Sequence, residues 1–466
     1  MPPPTLPRLL VSGMKKSSGK TLLVLGLATA FRESGKRVRL YKKGPDYIDP
    51  MWHKAASGQD SYNLDTYLMG APACRETFLE HSQPFDLSLI EGNHGLHDGM
   101  DLEGAHSSAG LAKLLRAPVL LTLDSTGMNR NLAAIVFGLQ RFDPDVAVKG
   151  VVLGRVRSER QAHKQISAIE HHCGIPVVGC LPRLAESPLL ERQLGLITPQ
   201  EQGRARETLG KLGNLIRENV SLEQVWDLAL RAPPLARRAP RRQGAPPHDV
   251  TLGVAYDAAF CFYYRENLEA LEQAGARLVY FNTLHDPQLP PVDGLYIGGG
   301  FPESFLKELE ANRSLRQDIA ARIEDGLPAY AECGGMMYLA RAFIGSGPPA
   351  RMCGVLPADV RLRGRPVGYG YVNLAPKAEP NWLDVRREIR GHEFHYSELV
   401  NLGADLRFLY DVKRGIGIEG GQDGIVYKHL LASYTHIHAR TVPEWAPRFV
   451  AAMRERRAAT QGRAAR

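Results

Sequence analysis

The chain has 466 residues, of which 44% are hydrophobic and 23% are charged. This is the composition of a globular protein, and the length predicts two or three domains. No apolar run is long enough to span a bilayer, and the N-terminal residues lack the features of a signal peptide, so we expect no membrane partner and a cytoplasmic location. Six cysteines without a C-x-x-C pair fit a reducing compartment and argue against a disulfide framework or a zinc ribbon.

The net charge of the chain is +8. A nucleic-acid-binding protein would gather its basic residues on one surface. Much of the excess lies instead in two short runs, RRAPRR (237–242) and RERRAATQGRAAR (454–466), which are typical of solvated stretches. We therefore expect no nucleic-acid partner, and we expect the basic tail at 451–466 to be disordered.

A linker divides the chain into two domains. Residues 232–247 contain five prolines and four arginines and almost nothing to bury, which is typical of an extended connection. The linker separates a domain at 1–231 from a second domain at 248–450. The two halves carry different motifs, so we do not expect an internal duplication.

Both domains show short apolar strands that alternate with helical stretches. This pattern predicts an α/β fold with a parallel sheet and with sites at the carboxyl ends of the strands. The predicted strands of the first domain are Leu9–Val11, Val38–Lys42, Leu87–Glu91, Val119–Asp124, Gly150–Leu153 and Val177–Gly179. Those of the second are Val250–Tyr256, Arg277–Phe281, Gly294–Ile297 and Pro328–Ala331.

The segment SGMKKSSGKT (12–21) lies between the first predicted strand and the first predicted helix. Backbone N–H groups of such a loop point at phosphate oxygens, and the helix N-terminus adds partial positive charge. Lys20 would reach the β- and γ-phosphates, and the Thr21 hydroxyl would bind Mg²⁺. The G-x₅-G-K-T spacing resembles that of dethiobiotin synthetase and its relatives. The predicted ATP-binding residues are Gly13, Lys15, Lys16, Ser17, Ser18, Gly19, Lys20 and Thr21.

Acidic residues follow the next two strands of the first domain. Asp46 comes after the second strand, and Glu91 ends the third. Because Mg²⁺ prefers oxygen ligands, we expect these two carboxylates and Thr21 to bind it, directly or through water. The neighbouring Tyr47, Asp49 and Asp98 are predicted to face the acceptor substrate.

The second domain carries a candidate nucleophile. Cys333 follows an apolar strand and precedes two glycines, so a tight turn would expose its thiol at the start of a helix, which favours the thiolate. His436, in SYTHIH (433–438), is the predicted base, with His392 and His395 as alternatives. Backbone N–H groups are predicted to stabilise the oxyanion that forms when the thiolate attacks an amide. These oxyanion-hole residues are Gly299, Gly300 and Gly334.

Several of these segments, in this order, resemble those of the cobyrinic acid a,c-diamide synthases. The resemblance spans nearly the whole chain outside the linker and the tail. It implies a dethiobiotin-synthetase-like ATPase domain joined to a class I glutamine amidotransferase-like domain. The segments are GPDYIDP (44–50), EGNHGLHDG (91–99), AFCFYYRENLE (259–269), GGGFPE (298–303), AECGG (331–335), RGHEFHYS (390–397) and SYTHIH (433–438).

The resemblance implies a glutamine-hydrolysing ligase that amidates the a and c acetate groups of a tetrapyrrole polycarboxylate. Ammonia would come from glutamine at Cys333, and ATP with Mg²⁺ would convert the acceptor carboxylate into an acyl phosphate. The segments KKGPDYIDPMW and KSSGKT also resemble the branch that amidates siroheme in sulfur-oxidising bacteria, so cobyrinate and siroheme both stay open as acceptors. His438 occupies the position where class I glutaminases usually have glutamate, which leaves the third member of the triad open.

Two other functions compete with this one. Lys15 matches the additional lysine of MinD-like proteins, which predicts an ATP-dependent switch that binds a partner and has a non-catalytic second domain. A ligase like dethiobiotin synthetase with a degenerate second domain is the other alternative. A reactive Cys333–His436 pair would argue against both. The sequence leaves open whether the chain forms a homodimer.

Overall fold

The computed structural model describes residues 6–192, 195–235, 247–378 and 381–464. The chain divides into two compact units, Met1–Arg241 and Arg242–Arg466. This division lies within the predicted linker, of which residues 236–246 are outside the described part. In the described ranges, no helix has both the length and the apolar character needed to cross a bilayer.

The first unit alternates strands and helices along most of its length. Its elements are β1 (Arg8–Gly13), α1 (Lys20–Glu33), β2 (Val38–Lys43), α2 (Ile48–Ser57), β3 (Tyr62–Leu64), α3 (Gly70–His81), β4 (Leu87–Glu91), α4 (Ser108–Leu115), β5 (Val119–Asp124), α5 (Asn131–Phe142), β6 (Val148–Val156), α6 (Glu159–Cys173), β7 (Val177–Pro182), β8 (Glu191–Arg192), β9 (Gly195–Leu196), α7 (Pro199–Gln202), α8 (Ala205–Asn219) and α9 (Leu222–Leu230).

Seven strands of this unit form a parallel sheet in the order β3-β2-β4-β1-β5-β6-β7. Every residue of β1, β2 and β4 is buried, because both faces of the sheet are covered. The predicted α/β fold with a parallel sheet is therefore confirmed for this unit. Because β4 lies between β1 and β2, Glu91 at its end is in register with Val11 on one side and with Lys42 on the other.

The first residues of the predicted linker are attached to the first unit by two arginines. The buried guanidinium of Arg8 donates to the carbonyl oxygen of Leu115 at 2.6 Å and to that of Pro233 at 2.6 Å. Burial and the nearby Arg116 lower the pKa of Arg8 to about 10. Arg116 donates to the Pro234 carbonyl at 3.1 Å. Pro233 and Pro234 therefore belong structurally to the first unit.

The second unit has more strands and fewer helices. Its elements are β10 (Val250–Ala255), β11 (Phe260–Phe262), α10 (Arg265–Gln273), β12 (Ala276–Phe281), β13 (Gly294–Ile297), β14 (Gly299–Gly300), a 3₁₀ turn (Pro302–Ser304), α11 (Leu306–Ala311), α12 (Arg313–Glu324), β15 (Ala329–Glu332), α13 (Gly334–Leu339), β16 (Ala342–Ile344), β17 (Ala350–Arg351), β18 (Asp359–Leu362), β19 (Gly368–Pro376), β20 (Ile389–His395), β21 (Ser397–Val400), β22 (Arg407–Arg414), β23 (Gln422–Tyr427), β24 (Leu430–Ser433), β25 (His436–Ile437) and α14 (Trp445–Ala464).

Its main sheet has ten strands in the order β12-β10-β13-β15-β24-β23-β22-β19-β20-β25. The first five are parallel and include the four predicted strands, which confirms the α/β fold class. The next five continue the sheet with antiparallel pairing, which the sequence analysis did not predict. The last pairing sets His392 of β20 opposite His436 of β25.

The C-terminal tail is helical through residue 464, so the expectation of disorder at 451–466 is wrong for its described part. Phe449 and Met453 are fully buried in the core of the second unit. The arginines, which looked solvated, have acidic partners: Arg454 pairs with Asp249 at 2.8 Å. Buried apolar residues one helical turn apart and ion pairs on the outer face together order this segment.

Candidate functional site

The predicted phosphate loop joins β1 to α1 and closes tightly on itself. A side-chain carbon at Gly13 would lie 2.7 Å from Cβ of Ser18, so only glycine fits there. Gly19 has a φ of +86°, a left-handed conformation that favours glycine. The Ser18 hydroxyl donates to the Lys15 carbonyl at 2.8 Å. The loop therefore precedes a 14-residue helix, α1, with the close backbone turn that phosphate binding requires.

Lys20 connects this loop to the segment after β4. Its ammonium group donates to the carbonyl oxygens of Lys15 at 3.0 Å and His94 at 2.7 Å. Burial and the nearby Lys42 lower the pKa of Lys20 to about 8. The lysine thus lies where the ends of two adjacent strands meet, as a phosphate-binding lysine should.

Glu91 is a fully buried carboxylate at the end of β4, with an exposure of 0%. It accepts hydrogen bonds from the Thr21 hydroxyl at 2.6 Å, the Lys42 ammonium at 2.8 Å and Nε2 of His53 at 2.7 Å. Burial alone would raise the pKa of Glu91, but the attraction of Lys42 and the contacts of His53 outweigh it and hold the pKa well below its ordinary value. The carboxylate therefore stays ionised beside the phosphate loop.

Lys42 and His53 are functional candidates that the sequence analysis missed. Lys42 also pairs with Asp49, and these two carboxylates raise the pKa of Lys42 despite its burial. Burial and Asp46 raise the pKa of Asp49. Two features of the sequence could have identified them: a lysine inside a buried strand, and a histidine one turn after Asp49 on α2. Buried charges need partners, so such residues indicate an ion-pair network.

The remaining predicted residues of the first unit lie around this network. Asp46 accepts from the backbone N–H of Ile48 at 2.9 Å and of Asp49 at 3.0 Å, so one of its oxygens fixes the turn into α2. Tyr47 is buried. Asp98 is exposed and accepts from the Gly95 N–H at 2.8 Å. Their roles toward Mg²⁺ and substrate stay predictions.

In the second unit, Cys333 sits on a strained turn between β15 and α13. Its φ of +47° and ψ of −102° are unusual for a residue with a side chain. Its N–H donates to the Ser433 carbonyl at 2.7 Å, which fixes the turn to β24. Burial, helped by the carboxylate of Glu303, raises the pKa of the Cys333 thiol. The expectation of an exposed thiol that favours the thiolate is therefore wrong: burial keeps the proton on the thiol, which needs a base to form the thiolate.

The structure brings the predicted glycines together with the predicted base. A side-chain carbon at Gly334 would lie 3.1 Å from the Gly300 nitrogen, and one at Gly299 would lie 2.6 Å from Cε1 of His436. The start of α13, the β14 backbone and the imidazole ring are thus neighbours. Only glycines allow this close approach, which suits an oxyanion-binding turn.

The alternative bases lie elsewhere. The His392 ring stacks on His436 with centroids 5.0 Å apart, and its Nδ1 is 3.2 Å from the Tyr264 hydroxyl. Burial, together with His436 and His438, holds the pKa of His392 well below its ordinary value. His395 stacks on Tyr434 and its Nδ1 is 2.7 Å from the Ser397 carbonyl. Neither ring is the one against Gly299.

A carboxylate that the sequence analysis missed faces the other edge of the His436 ring. Glu332, directly before Cys333, has its Oε2 3.3 Å from Nδ1 of His436. Because a carboxylate accepts hydrogen bonds, Nδ1 is the ring nitrogen that donates to Glu332. A charged residue at the end of the buried strand PAYAE was the only signal in the sequence.

Comparison with known proteins matches each of the two units to a family of domains. Residues 9–194 match the model of the CobQ/CobB/MinD/ParA nucleotide binding domain, and residues 251–443 match that of the CobB/CobQ-like glutamine amidotransferase domain. The cobyrinate a,c-diamide synthase of Magnetococcus marinus is 44% identical over 97% of this chain and 98% of its own. That of Archaeoglobus fulgidus is 39% identical over 96% of this chain and 98% of its own.

The chain belongs to the cobyrinate a,c-diamide synthase family. It is therefore a glutamine-hydrolysing ligase with a nucleotide-binding domain, and the switch ATPase and the degenerate ligase are set aside, because neither uses a glutamine amidotransferase domain. Among solved structures, PurLQS from Thermotoga maritima aligns with 44% of this chain and 98% of its own at 14% identity and a TM-score of 0.35. That likeness is too distant to support an argument about the site.

Proposed function

We propose that this protein uses ATP and glutamine to convert two acetate carboxylates of a tetrapyrrole-derived macrocycle into amides. The observation that carries the proposal is the combination, on one chain, of a strained cysteine beside a glycine turn and a phosphate loop beside an ionised glutamate. The relatives named as cobyrinate a,c-diamide synthases make cobyrinate the first acceptor to test. Siroheme is the second, because GPDYIDP and its flanking residues resemble the siroheme-amidating branch.

In the glutaminase reaction, Nε2 of His436 takes the proton of the Cys333 thiol. The thiolate attacks the carboxamide carbon of glutamine, and the resulting oxyanion is held by backbone N–H groups of Gly299, Gly300 and Gly334. His436 returns its proton to the amide nitrogen, the C–N bond breaks and ammonia leaves. Water, deprotonated by His436, then hydrolyses the thioester to glutamate and regenerates the thiol.

In the ligase reaction, the acceptor carboxylate attacks the γ-phosphorus of ATP and ADP leaves. The acyl phosphate that forms is attacked by ammonia at its carbonyl carbon, so an amide forms and inorganic phosphate is released. Lys20 stabilises charge on the transferred phosphoryl group. Its position between the loop and the β4 end suits this role, because both phosphate and acceptor must meet there.

The residues near Glu91 fit a magnesium ion. Thr21 and Glu91 offer oxygen donors 2.6 Å apart beside the phosphate loop, and Mg²⁺ prefers such hard ligands. These two residues, with Asp46, would hold the ion, which would neutralise charge on the β- and γ-phosphates when bound. Lys42 keeps Glu91 ionised and oriented for this purpose.

The first experiment offers the protein ATP, Mg²⁺ and amide-labelled glutamine with either cobyrinic acid or siroheme, and reads the products by mass spectrometry. Conversion of carboxyl to labelled amide in one reaction identifies the acceptor. A carboxylate labelled with heavy oxygen should pass one labelled oxygen to inorganic phosphate, as an acyl phosphate requires. Absence of amide in both reactions, with no glutamate released, contradicts the proposal.

Two variants separate the half-reactions. Cys333→Ser should abolish synthesis from glutamine and retain synthesis from ammonium salts, because added ammonium supplies ammonia without glutamine hydrolysis. His436→Gln should behave in the same way. Loss of the ammonium-supported reaction in both variants would contradict the assignment of separate sites.

A further inference from the structure

Glu332 is a buried carboxylate whose surroundings differ from those of an ordinary buried acid. Its residue exposure is 1%, and it ends β15 one residue before the nucleophile. Among the described residues, its oxygens have no hydrogen bond with the Cys333 thiol, and Oε2 lies against the ring of His436. The carboxylate therefore contacts the candidate base and not the thiol.

Four donors saturate the carboxylate, two on each oxygen. The Tyr330 hydroxyl and the Ile437 N–H donate to Oε1 at 2.8 and 3.1 Å. The Tyr296 hydroxyl and Nδ1 of His436 lie 3.0 and 3.3 Å from Oε2. In the described part of the chain, neither oxygen bonds to a lysine or an arginine. The negative charge of Glu332 is therefore not cancelled by a fixed cation.

The uncancelled charge acts on its neighbours. Burial first, and then Glu332, raises the pKa of Tyr296 and of Tyr330 well above the ordinary value. Both phenols consequently stay protonated and keep donating to the carboxylate. Of the four donors, only the imidazole of His436 changes its charge during the reaction described above. A positive charge on that ring is the one that Glu332 can stabilise.

The usual position for such an acid is occupied by a different side chain. His438, two residues after His436, packs edge-on against Tyr264 and lies 3.7 Å from Glu266. It offers His436 no carboxylate. The acid instead comes from the residue before the nucleophile, on a strand separated from β25 in the sheet order.

We propose that Glu332 is the positioning residue of the glutaminase: it holds His436 with Nδ1–H toward itself and Nε2 available to Cys333, and it stabilises the imidazolium. No proton moves to Glu332 at any step. This inference rests on the proposed function, because it assumes that Cys333 and His436 hydrolyse glutamine. It supplies the third member of the triad that the sequence left open.

The test compares Glu332→Gln with Glu393→Gln. Glu393 is a similarly buried glutamate of the same unit. It accepts from the backbone N–H groups of Ile416 and Gly417 and lies 3.7 Å from His395, the histidine that stacks on Tyr434. Glu332→Gln should lower kcat for glutamine hydrolysis by about a hundredfold or more, with little change in KM for glutamine, since it removes orientation and charge from the base. Glu393→Gln should change kcat by less than about threefold, because it leaves the base and its orientation intact.

A second readout reports on the histidine itself. With histidines labelled by nitrogen-15, and the His436 signals assigned by their loss in His436→Gln, the wild type should show a proton on Nδ1 and Glu332→Gln should show a mixture of tautomers. A merely structural glutamate would not move this distribution. An unchanged tautomer together with wild-type kcat overturns the inference.

The remaining outcomes are also decisive. If Glu332→Gln loses ammonium-supported synthesis together with glutaminase activity, the carboxylate maintains the fold and the positioning role is wrong. If Cys333→Ser still hydrolyses glutamine, the proposed function fails, whatever Glu332 does. If Cys333→Ser is inactive and Glu332→Gln is fully active, only the inference about Glu332 fails.

Discussion

The two sites each contain one fully buried glutamate, and the two glutamates are held in opposite ways. Glu91 accepts from Lys42 and His53, so a cation compensates its charge within the protein. Glu332 accepts from two phenols, one backbone N–H and His436. Lys42 keeps Glu91 ionised at every stage of the reaction. The charge of Glu332, in contrast, stays available for the imidazolium of His436, which forms only during catalysis. Buried acids with similar exposure can thus serve different purposes, and their donors reveal which.

The largest expected effect comes from Lys20→Met. This change removes the ammonium group from the phosphate site, so synthesis from glutamine and from ammonium salts should both fall by about a thousandfold. Glutamine hydrolysis should continue, because its machinery lies in the second unit. Steady-state assays of amide and glutamate formation measure both. Lys211→Met, at an exposed lysine paired with Glu207, is the control; ammonium-supported synthesis that survives in Lys20→Met would exclude Lys20 from the site.

The stabilities of Glu91→Gln and Glu332→Gln test the comparison directly. Glu91→Gln removes one of the two carboxylates that pair directly with Lys42, and breaking a buried ion pair costs about 3–5 kcal/mol. Glu332→Gln weakens hydrogen bonds from neutral donors and should cost about 1–2 kcal/mol. Urea unfolding, with the transition of each unit followed separately, gives both free energies of unfolding. Equal losses would mean that the two environments do not differ as described.

Nucleotide binding should depend on pH through Lys20. Its pKa is lowered to about 8, so the free protein loses this proton as the pH rises through that value. ATP favours the ammonium form, and binding above this pH must therefore take up a proton. The Kd for ATP should rise above pH 8, by up to about tenfold per pH unit.

Calorimetry in buffers of different ionisation enthalpy measures the proton uptake. The Lys20→Met variant should bind ATP weakly at every pH. Once any protonation of ATP itself is subtracted, its binding of ATP near pH 9 should take up no proton. An uptake equal to that of the wild type would assign the proton to another group.

The smallest effect concerns the strained turn at the nucleophile. Cys333→Gly should relieve the positive φ, whereas Cys333→Ala keeps it, so the glycine variant should be the more stable by about 1 kcal/mol. Thermal unfolding of the second unit compares them, and ammonium-supported synthesis in both variants checks the fold. A less stable glycine variant would show that the turn is not strained.

The phosphate loop, the strand that leads to Cys333 and the fold class were accessible from the sequence because they depend on local order. A buried strand, a glycine turn and a helix follow one another within about twenty residues of the loop and of the nucleophile. The structure confirms the strands Leu87–Glu91, Val119–Asp124 and Gly294–Ile297 at their predicted bounds.

The partners of Glu91 and Glu332 were not accessible, because they come from strands that pair only in the folded sheet. Lys42 reaches Glu91 because β2 lies beside β4. His436 reaches Glu332 because β24 pairs with β15 and sets Ser433, three residues before His436, opposite Glu332. The prediction for the tail was wrong for the same reason. Arg454 pairs with Asp249, which is distant in sequence and becomes a neighbour only in the folded unit.

The bonds from Arg8 and Arg116 to Pro233 and Pro234 also bear on how the gene could be divided. The first unit retains its chain up to these prolines, and the second is already anchored at Asp249 through Arg454. A break in the chain between residues 236 and 246 cuts none of these bonds. We therefore expect two separate polypeptides to keep these contacts, and an ammonium salt in the medium to replace the second one as a source of ammonia.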